Sequence, residues 1–286
     1  ADFDNDGDED VLVSGLGTPL YGGPYKRQAA SFLRKEGGGA TGQSWSRSIG
    51  GQNAGAWADI DRDGRLDFLV PGRYGNKMFL QSPPGSFVYA TPPALDFGYS
   101  SYGTPDIVSW TDIEGDGDMD LVMNGEGRLT RYLNLGGGSF GAGALLDGAI
   151  SPASGSTDIA WGDYDNDGDL DLFIVADDCL VGNRLLRNLG GGIFVDATPT
   201  ALSCLCTGGD AEWADVDQDG RLDLLRAMTR GGGGLLFYRN LGDGTNFTDA
   251  TPAGWLQLPP IRSVAVADPD GDGDLDLALG PVGDDS

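Results

Sequence analysis

Six short acidic stretches hold most of the residues in this chain that could do chemistry. The first places Asp2, Asp4, Asp6, Asp8 and Asp10 around Gly7, and the second Asp59, Asp61, Asp63, Arg65 and Asp67 around Gly64. The third has Asp112, Glu114, Asp116, Asp118 and Asp120 around Gly117, and the fourth Asp163, Asp165, Asp167, Asp169 and Asp171 around Gly168. The fifth has Asp215, Asp217, Asp219, Arg221 and Asp223 around Gly220, and the sixth Asp268, Asp270, Asp272, Asp274 and Asp276 around Gly273. Carboxylates thus stand at positions 1, 3, 5 and 9, with glycine always at 6, about every 53 residues. Four carboxylates so close repel one another unless a cation sits between them. Calcium suits the pattern because it accepts six to eight oxygens at about 2.3–2.6 Å in tolerant geometry, whereas magnesium demands a tight octahedron and keeps its waters.

The expected ligands are the side chains at positions 1, 3, 5 and 9 and the backbone carbonyl at 7. Arginine at 7 in two copies, Arg65 and Arg221, fits a backbone ligand and not a carboxylate one. Glycine at 6 permits the positive-φ turn that wraps the chain round an ion. Up to six calcium ions are expected. An EF-hand is excluded, because its loop ends on a bidentate Glu at position 12 between two helices. Position 12 here is Val13, Val70, Met123, Ile174, Arg226 or Leu279. The flanks, such as Ala56 to Ile60 before a loop and Leu66 to Val70 after it, alternate as short strands do.

A second signal keeps the same period. Phe87, Phe140, Phe194 and Phe247 each follow a glycine-containing turn, with apolar runs such as Leu235 to Arg239 ahead of it. Each repeat therefore predicts four strands, two around the acidic loop and two around the glycine turn. Four-stranded units at a fixed period of this size mean a β-propeller. The predicted fold is all-β: four-stranded blades, six calcium-loop repeats, incomplete terminal repeats, and one domain over residues 1–286. Trp57, Trp110, Trp161 and Trp213 fall two residues before their loops and are expected to pack between strands.

The acidic loops joined to turns such as Arg239-Asn-Leu-Gly-Asp-Gly-Thr-Asn-Phe247 resemble FG-GAP/VCBS-type repeats over essentially the whole chain. Such repeats build the calcium-binding propellers of integrin α-chains and of many secreted adhesion proteins. The resemblance implies loops between the first and second strand of each blade, on one face, with ligands engaging the opposite face. Glu114 at position 3 and Pro269 at position 2 depart from the pattern without removing an oxygen.

The chain starts on the first loop and stops soon after the sixth, so repeat one lacks its first strand and repeat six its last two. Three explanations stay open: a piece of a longer protein, open ends completed by a neighbour, or a six-bladed disc with an abbreviated blade. A seven-bladed disc at this period would need about 370 residues.

Net charge is −26, and six dications would offset about half of it. With 18 scattered basic residues, no nucleic-acid partner is expected. No transmembrane run or signal-peptide pattern occurs, so no membrane insertion is expected. Calcium loops of this kind fit extracellular calcium levels. Cys179 could bridge Cys204 or Cys206, or all three could stay reduced. Asn246-Phe-Thr248 matches a glycosylation sequon that overlaps the repeat's own turn.

Histidine is absent, which removes Ser-His-Asp and Cys-His chemistry. Gly137-Gly-Ser-Phe-Gly141 matches a nucleophile elbow in letters, yet it lies in a strand-to-strand turn. A polysaccharide lyase would need a base, for which only Lys26, Arg27 or Arg131 stand out. The chain therefore reads as a non-catalytic, extracellular binder of protein or glycan, with self-assembly through terminal strands as the alternative. Two segments either bind a ligand or cover the disc's central channel: the insertion from about Gly15 to Ala30, with Tyr21, Tyr25, Lys26 and Arg27, and the connection from Pro92 to Pro105, with Phe97, Tyr99 and Tyr102.

Overall fold

The computed structural model describes residues 11–16, 28–36, 39–41, 56–72, 75–83, 86–96, 107–125, 128–146, 156–176, 182–203, 208–231, 233–242 and 246–282. It falls into two compact units, Ala1–Leu146 and Asp147–Ser286. The first unit contains β1 (Val11–Leu16), β2 (Gln28–Glu36) and β3 (Gly39–Thr41) in one three-stranded sheet. Two four-stranded sheets follow, β4 (Ala56–Ala58) with β5 (Asp67–Val70), β6 (Lys77–Gln81) and β7 (Phe87–Tyr89), then β8 (Val108–Thr111) with β9 (Asp120–Gly125), β10 (Arg128–Tyr132) and β11 (Ala144–Leu145). The second unit contains β12 (Ser156–Gly162), β13 (Asp171–Ala176), β14 (Arg184–Asn188) and β15 (Phe194–Asp196), then the single helical turn α1 (Thr200–Ser203). It continues with β16 (Ala211–Ala214), β17 (Asp223–Ala227), β18 (Leu235–Asn240) and β19 (Phe247–Asp249), and ends on the pair β20 (Ile261–Ala267) and β21 (Asp276–Pro281).

The fold is all-β, a propeller of four-stranded antiparallel blades in which each strand pairs with the next in sequence. In the four described four-stranded blades the second strand lies in the interior of the sheet and is buried on both sides. Its sequence is accordingly a continuous apolar run: Phe68, Leu69 and Val70 in β5, or Leu172 to Ala176 in β13, are at most 3% exposed. The fourth strand is the rim, and Val88, Tyr89 and Val195 there face solvent.

Successive blades pack face to face within each unit. In the first, Ile60, Leu69 and Met78 meet Leu121, Met123, Tyr132 and Phe140. In the second, Tyr164, Phe173 and Leu185 meet Trp213, Leu224, Tyr238 and Phe247. The tryptophans pack as expected and also bind backbone: Trp110 Nε1 donates to Ala56 O at 3.3 Å, and Trp213 Nε1 to Ala160 O at 3.2 Å. Each bond joins one blade's first strand to the preceding blade's.

The glycine turns join third and fourth strands. In two of them three successive residues, Gly136 to Gly138 and Gly190 to Gly192, lie at positive φ, which explains the glycine runs. The asparagine that opens each turn is the second stitch between blades. Asn134 Nδ2 donates to Ile60 O at 2.8 Å, and Asn240 Nδ2 donates to Tyr164 O at 2.8 Å. Asn240 also donates to Leu222 O and accepts from Gly242 N, at 3.0 Å each, with 1% of its surface exposed. Asn240→Ala leaves these groups buried without partners, so a loss of about 2–4 kcal/mol is expected in urea unfolding of the calcium-loaded protein. A change below about 0.5 kcal/mol would rule out the stitch.

One boundary differs from the sequence reading. Gly15 and Leu16 belong to β1 and Gln28 to Ala30 to β2, with Gly15 opposite Ala29, so both ends of the insertion lie in paired strands. Its Tyr21, Tyr25, Lys26 and Arg27 lie outside the described residues, as do Phe97, Tyr99, Tyr102, Trp45 and the three cysteines.

Candidate metal centres

In each described repeat the acidic loop connects the first strand to the second. Position 9 pairs with the last residue of the first strand: Ala58 with Asp67, Thr111 with Asp120, Gly162 with Asp171, Ala214 with Asp223 and Ala267 with Asp276. The first loop, Asp2 to Asp10, lies outside the described residues.

The position-1 aspartate organises the turn. Both Asp59 oxygens accept backbone N–H groups, from Asp63 and Gly64 at 3.0 Å each. Asp112, Asp163, Asp215 and Asp268 repeat this with their own positions 5 and 6. The position-5 carboxylate then accepts the N–H of position 7, as Asp116 does from Asp118 at 2.9 Å. Glycine at 6 has φ between +83° and +95° in all five described loops, the conformation expected from sequence. Position 4 is also left-handed, at Arg62, Asn166 and Gln218, and at Gly115 and Gly271. That side chain reaches the next loop along: Asn166 Nδ2 donates to Gly220 O at 3.2 Å and Gln218 Nε2 to Gly273 O at 2.8 Å. In the first unit Arg62 Nη1 donates to Asp116 O at 3.5 Å, so in each unit the described loops stand side by side.

Position 9 has a role that spacing alone did not reveal. Asp67, Asp120, Asp171 and Asp223 are fully buried. Asp120 Oδ2 accepts Ile113 N at 2.9 Å, and its Oδ1 accepts Asn134 N at 2.7 Å. Asp67 and Asp171 likewise accept Ile60 and Gln81, and Tyr164 and Asn188. This carboxylate ties the loop to the end of the third strand. Asp276 stands exposed, since the described part of its sheet has no third strand.

Carboxylates gather into four groups whose ligand atoms lie within 4.8 Å of one another: Asp59, Asp61 and Asp67; Asp163, Asp165 and Asp171; Asp215, Asp217 and Asp219; Asp268, Asp270 and Asp272. The third loop forms no such group among the described residues. Two oxygens bound to one ion at about 2.3–2.6 Å stand at most about 5 Å apart, so each trio can share a hard cation. The donor set is all oxygen, which favours such an ion over a soft one. Orphaned acceptors point the same way. Asp61 Oδ1, Glu114 Oε2, Asp165 Oδ1 and Asp223 Oδ2 are buried with no hydrogen-bond partner. Three of these four are position-3 carboxylates.

Electrostatics agree. Burial, then the Asp120 and Asp116 charges, push Glu114 up to about 7. Burial also pushes Asp171 up to about 7, with Asp165 and Asp167 adding to it. Burial raises Asp67, Asp120, Asp165 and Asp223 as well. Asp167 alone is lowered, chiefly by its hydrogen bond from Arg187.

Arginines form a layer that the ligand spacing did not anticipate. Arg187 on β14 pairs with Asp165 at 2.5 Å and with Asp167 at 2.8 Å. Arg239, its counterpart on β18, pairs with Asp217 and Asp219. At position 7, Arg65 pairs with Asp63 and Arg221 with Asp219, while their Nε atoms donate to Gln81 O at 2.9 Å and Asn240 O at 3.3 Å. The available signal was the Arg-Asn pair before each Leu-Gly turn in repeats four and five.

The model of the FG-GAP-like repeat matches residues 2–70, 59–123, 112–174, 167–226 and 215–279; four of these windows span two successive acidic loops, and 167–226 begins within the fourth loop and spans the fifth. No curated protein sequence matches the chain. Among solved structures, a lectin of Agrocybe aegerita, described for specific recognition of non-reducing terminal N-acetylglucosamine, is 17% identical with a TM-score of 0.58. That match covers 98% of this chain and 69% of the lectin. The Tc holotoxin pore of Photorhabdus luminescens is 21% identical with a TM-score of 0.45, over 88% of this chain and 12% of the toxin chain.

Proposed function

The chain belongs to the FG-GAP-like repeat family, and we propose that it is a calcium-stabilised, extracellular recognition module for protein or glycan that works by binding and not by catalysis. The observation that carries this reading is the set of buried, partnerless carboxylate oxygens at the acidic loops. Oxygens of this kind, arranged in trios that a hard cation can bridge, support calcium as the ion. Asp59, Asp61 and Asp67 would hold one ion, with equivalent trios in the fourth, fifth and sixth loops. When bound, the ion neutralises the carboxylates and pins the turn. The protein's own residues do the rest: position 1 shapes the loop, position 9 anchors it to the third strand, and the arginines balance the outer oxygens.

Recognition is supported by the rigidity of these stitched blades and by the fold's use as a glycan-recognising scaffold in the Agrocybe aegerita lectin. The missing histidine supports a non-catalytic role. No helix among the described residues is long and apolar enough to cross a membrane. The test is a glycan array probed in millimolar calcium and again in chelator. Saturable binding in calcium that chelator abolishes is expected. Breakdown of a polysaccharide overturns the reading, and no binding in either condition removes its glycan arm and leaves protein as the ligand class.

A further inference from the structure

Position 4 of the acidic loops is not among the expected ligands, yet its side chain is what joins one loop to the next. In the second unit Asn166 stands at φ +59° and Gln218 at φ +57°, a left-handed conformation uncommon outside glycine. Asn166 Nδ2 donates to Gly220 O at 3.2 Å, and Gln218 Nε2 donates to Gly273 O at 2.8 Å. The peptides they reach are held from the other side as well. Arg221 N donates to Asp219 Oδ1 at 3.1 Å, and Asp274 N donates to Asp272 Oδ1 at 2.9 Å. Each peptide between positions 6 and 7 is thus fixed by its own loop's position-5 carboxylate and by a side chain from the loop before. It leads directly into position 7, whose carbonyl is an expected ligand. The series runs from the fourth loop to the fifth and the sixth, and position 4 of the sixth is Gly271, which has no side chain to extend it.

The blades themselves are joined by contacts that need no ion. Trp213 and Asn240 tie the fifth blade to the fourth near the loops. At the ends of the first strands remote from the loops, Asp158 Oδ2 accepts Ala211 N at 3.2 Å and Asp210 Oδ2 accepts Val264 N at 2.8 Å. Both aspartates border a cavity of about 440 Å³ there. Between blades fixed in this way, the exposed bridge at position 4 is a contact that filling a loop can make or break.

We propose that Asn166 and Gln218 are positioning residues that couple the fourth, fifth and sixth acidic loops, so that these calcium sites fill as a linked series. The inference rests on the calcium reading above and adds how the sites act on one another. Position 4 lies between two expected ligand carboxylates, Asp165 and Asp167 in one loop and Asp217 and Asp219 in the next. An ion held by both fixes the backbone between them and so aims the side chain at the neighbouring peptide. Without an ion the carboxylates repel, the turn loosens, and the neighbour loses its outside support. Thermodynamic reciprocity makes the effect mutual. Both side chains are exposed, so each bridge should change calcium affinity about threefold, within the range of one net hydrogen bond. Charge works in the opposite direction, because an ion in one loop reduces the negative potential that draws an ion into the next. The sign of the coupling therefore identifies the bridge.

The experiment is a calcium titration of the full chain in about 0.15 M salt, where exposed charges are screened beyond about 8 Å. It is followed by the backbone amide resonances of Gly168, Gly220 and Gly273. Each of these amides donates to its own loop's position-1 aspartate, so each reports one loop. Asp165→Asn removes a ligand from the fourth loop and keeps that loop's position-1 hydrogen bonds. It should raise the calcium midpoint of Gly220 about threefold. Asn166→Gly removes the bridge with a residue that adopts left-handed φ freely, and it should raise that midpoint by as much. Adding Asp165→Asn to Asn166→Gly should raise it no further. Gln218→Gly should raise the midpoint of Gly273 in the same way. An unchanged or lower Gly220 midpoint in Asp165→Asn, or the same Asp165→Asn shift with and without Asn166, overturns the coupling and leaves the calcium reading standing. If calcium moves none of the three resonances, both fall.

Discussion

Asp120→Ala is expected to lower the stability of the first unit by about 3–5 kcal/mol, an effect that the equally buried Asp67 and Asp171 should share in their own blades. Two backbone donors, Ile113 N and Asn134 N, end on its two oxygens in a fully buried setting. Alanine strands both, at about 1–3 kcal/mol each, and removes a position-9 carboxylate from the centre. Asp167 is the contrasting case. It is exposed and held by Arg187, so Asp167→Ala should weaken calcium binding at its own loop and change stability by only about 1 kcal/mol. Urea unfolding in calcium and in chelator separates the two contributions. The Asp120→Ala deficit should persist in chelator, because the backbone ties do not depend on an ion. If it disappears there, position 9 acts only through the metal.

Removing calcium is the second large perturbation. A site filled at a hundred times its dissociation constant stabilises the fold by about 2.7 kcal/mol. Several sites together should therefore raise the melting temperature by about 10 °C or more in millimolar calcium relative to chelator. Magnesium at equal concentration should restore only a minor part. The effect should also depend on pH, and its sign follows from the loop carboxyls. Glu114 and Asp171 sit near 7 without a cation, well above their unfolded values, so they hold protons in the fold that the unfolded chain releases. Their contribution to metal-free stability is present at about pH 4 and is lost as pH rises to 7. Calcium displaces those protons, so its stabilising effect should grow from pH 5 to pH 8. Scanning calorimetry at four pH values checks this; a calcium increment that is flat or falls with pH contradicts the assignment of these groups as ligands.

Much of the architecture could be read from local pattern. Each acidic loop is a contiguous stretch whose turn is made by its own glycine and its own position-1 aspartate, so spacing alone predicts its form. The strands beside it are equally legible, because a central blade strand such as Leu172 to Ala176 is apolar on both faces. Tryptophan recurring two residues before the second, third, fourth and fifth loops announced a packing position, and Trp110 and Trp213 occupy it.

What only the tertiary structure decided are relations between residues far apart in the chain. Nothing in the spacing separates Asp171 from Asp167. Folding buries the first beneath Tyr164 N and Asn188 N and leaves the second at the surface beside Arg187. Nor does spacing say which carboxylates converge: the trio is positions 1, 3 and 9 in the second and fourth loops, and 1, 3 and 5 in the fifth and sixth. Asp158 and Asp210 are 52 residues apart, and each by itself is an ordinary strand-end aspartate. They come to border one cavity only because the repeat places equivalent positions of successive blades side by side. The sequence by itself set the loops, the strands and their period, since those depend on neighbours within nine or ten residues. Burial, charge pairing and the cavity depend on which blades meet, and that is a property of the packed molecule.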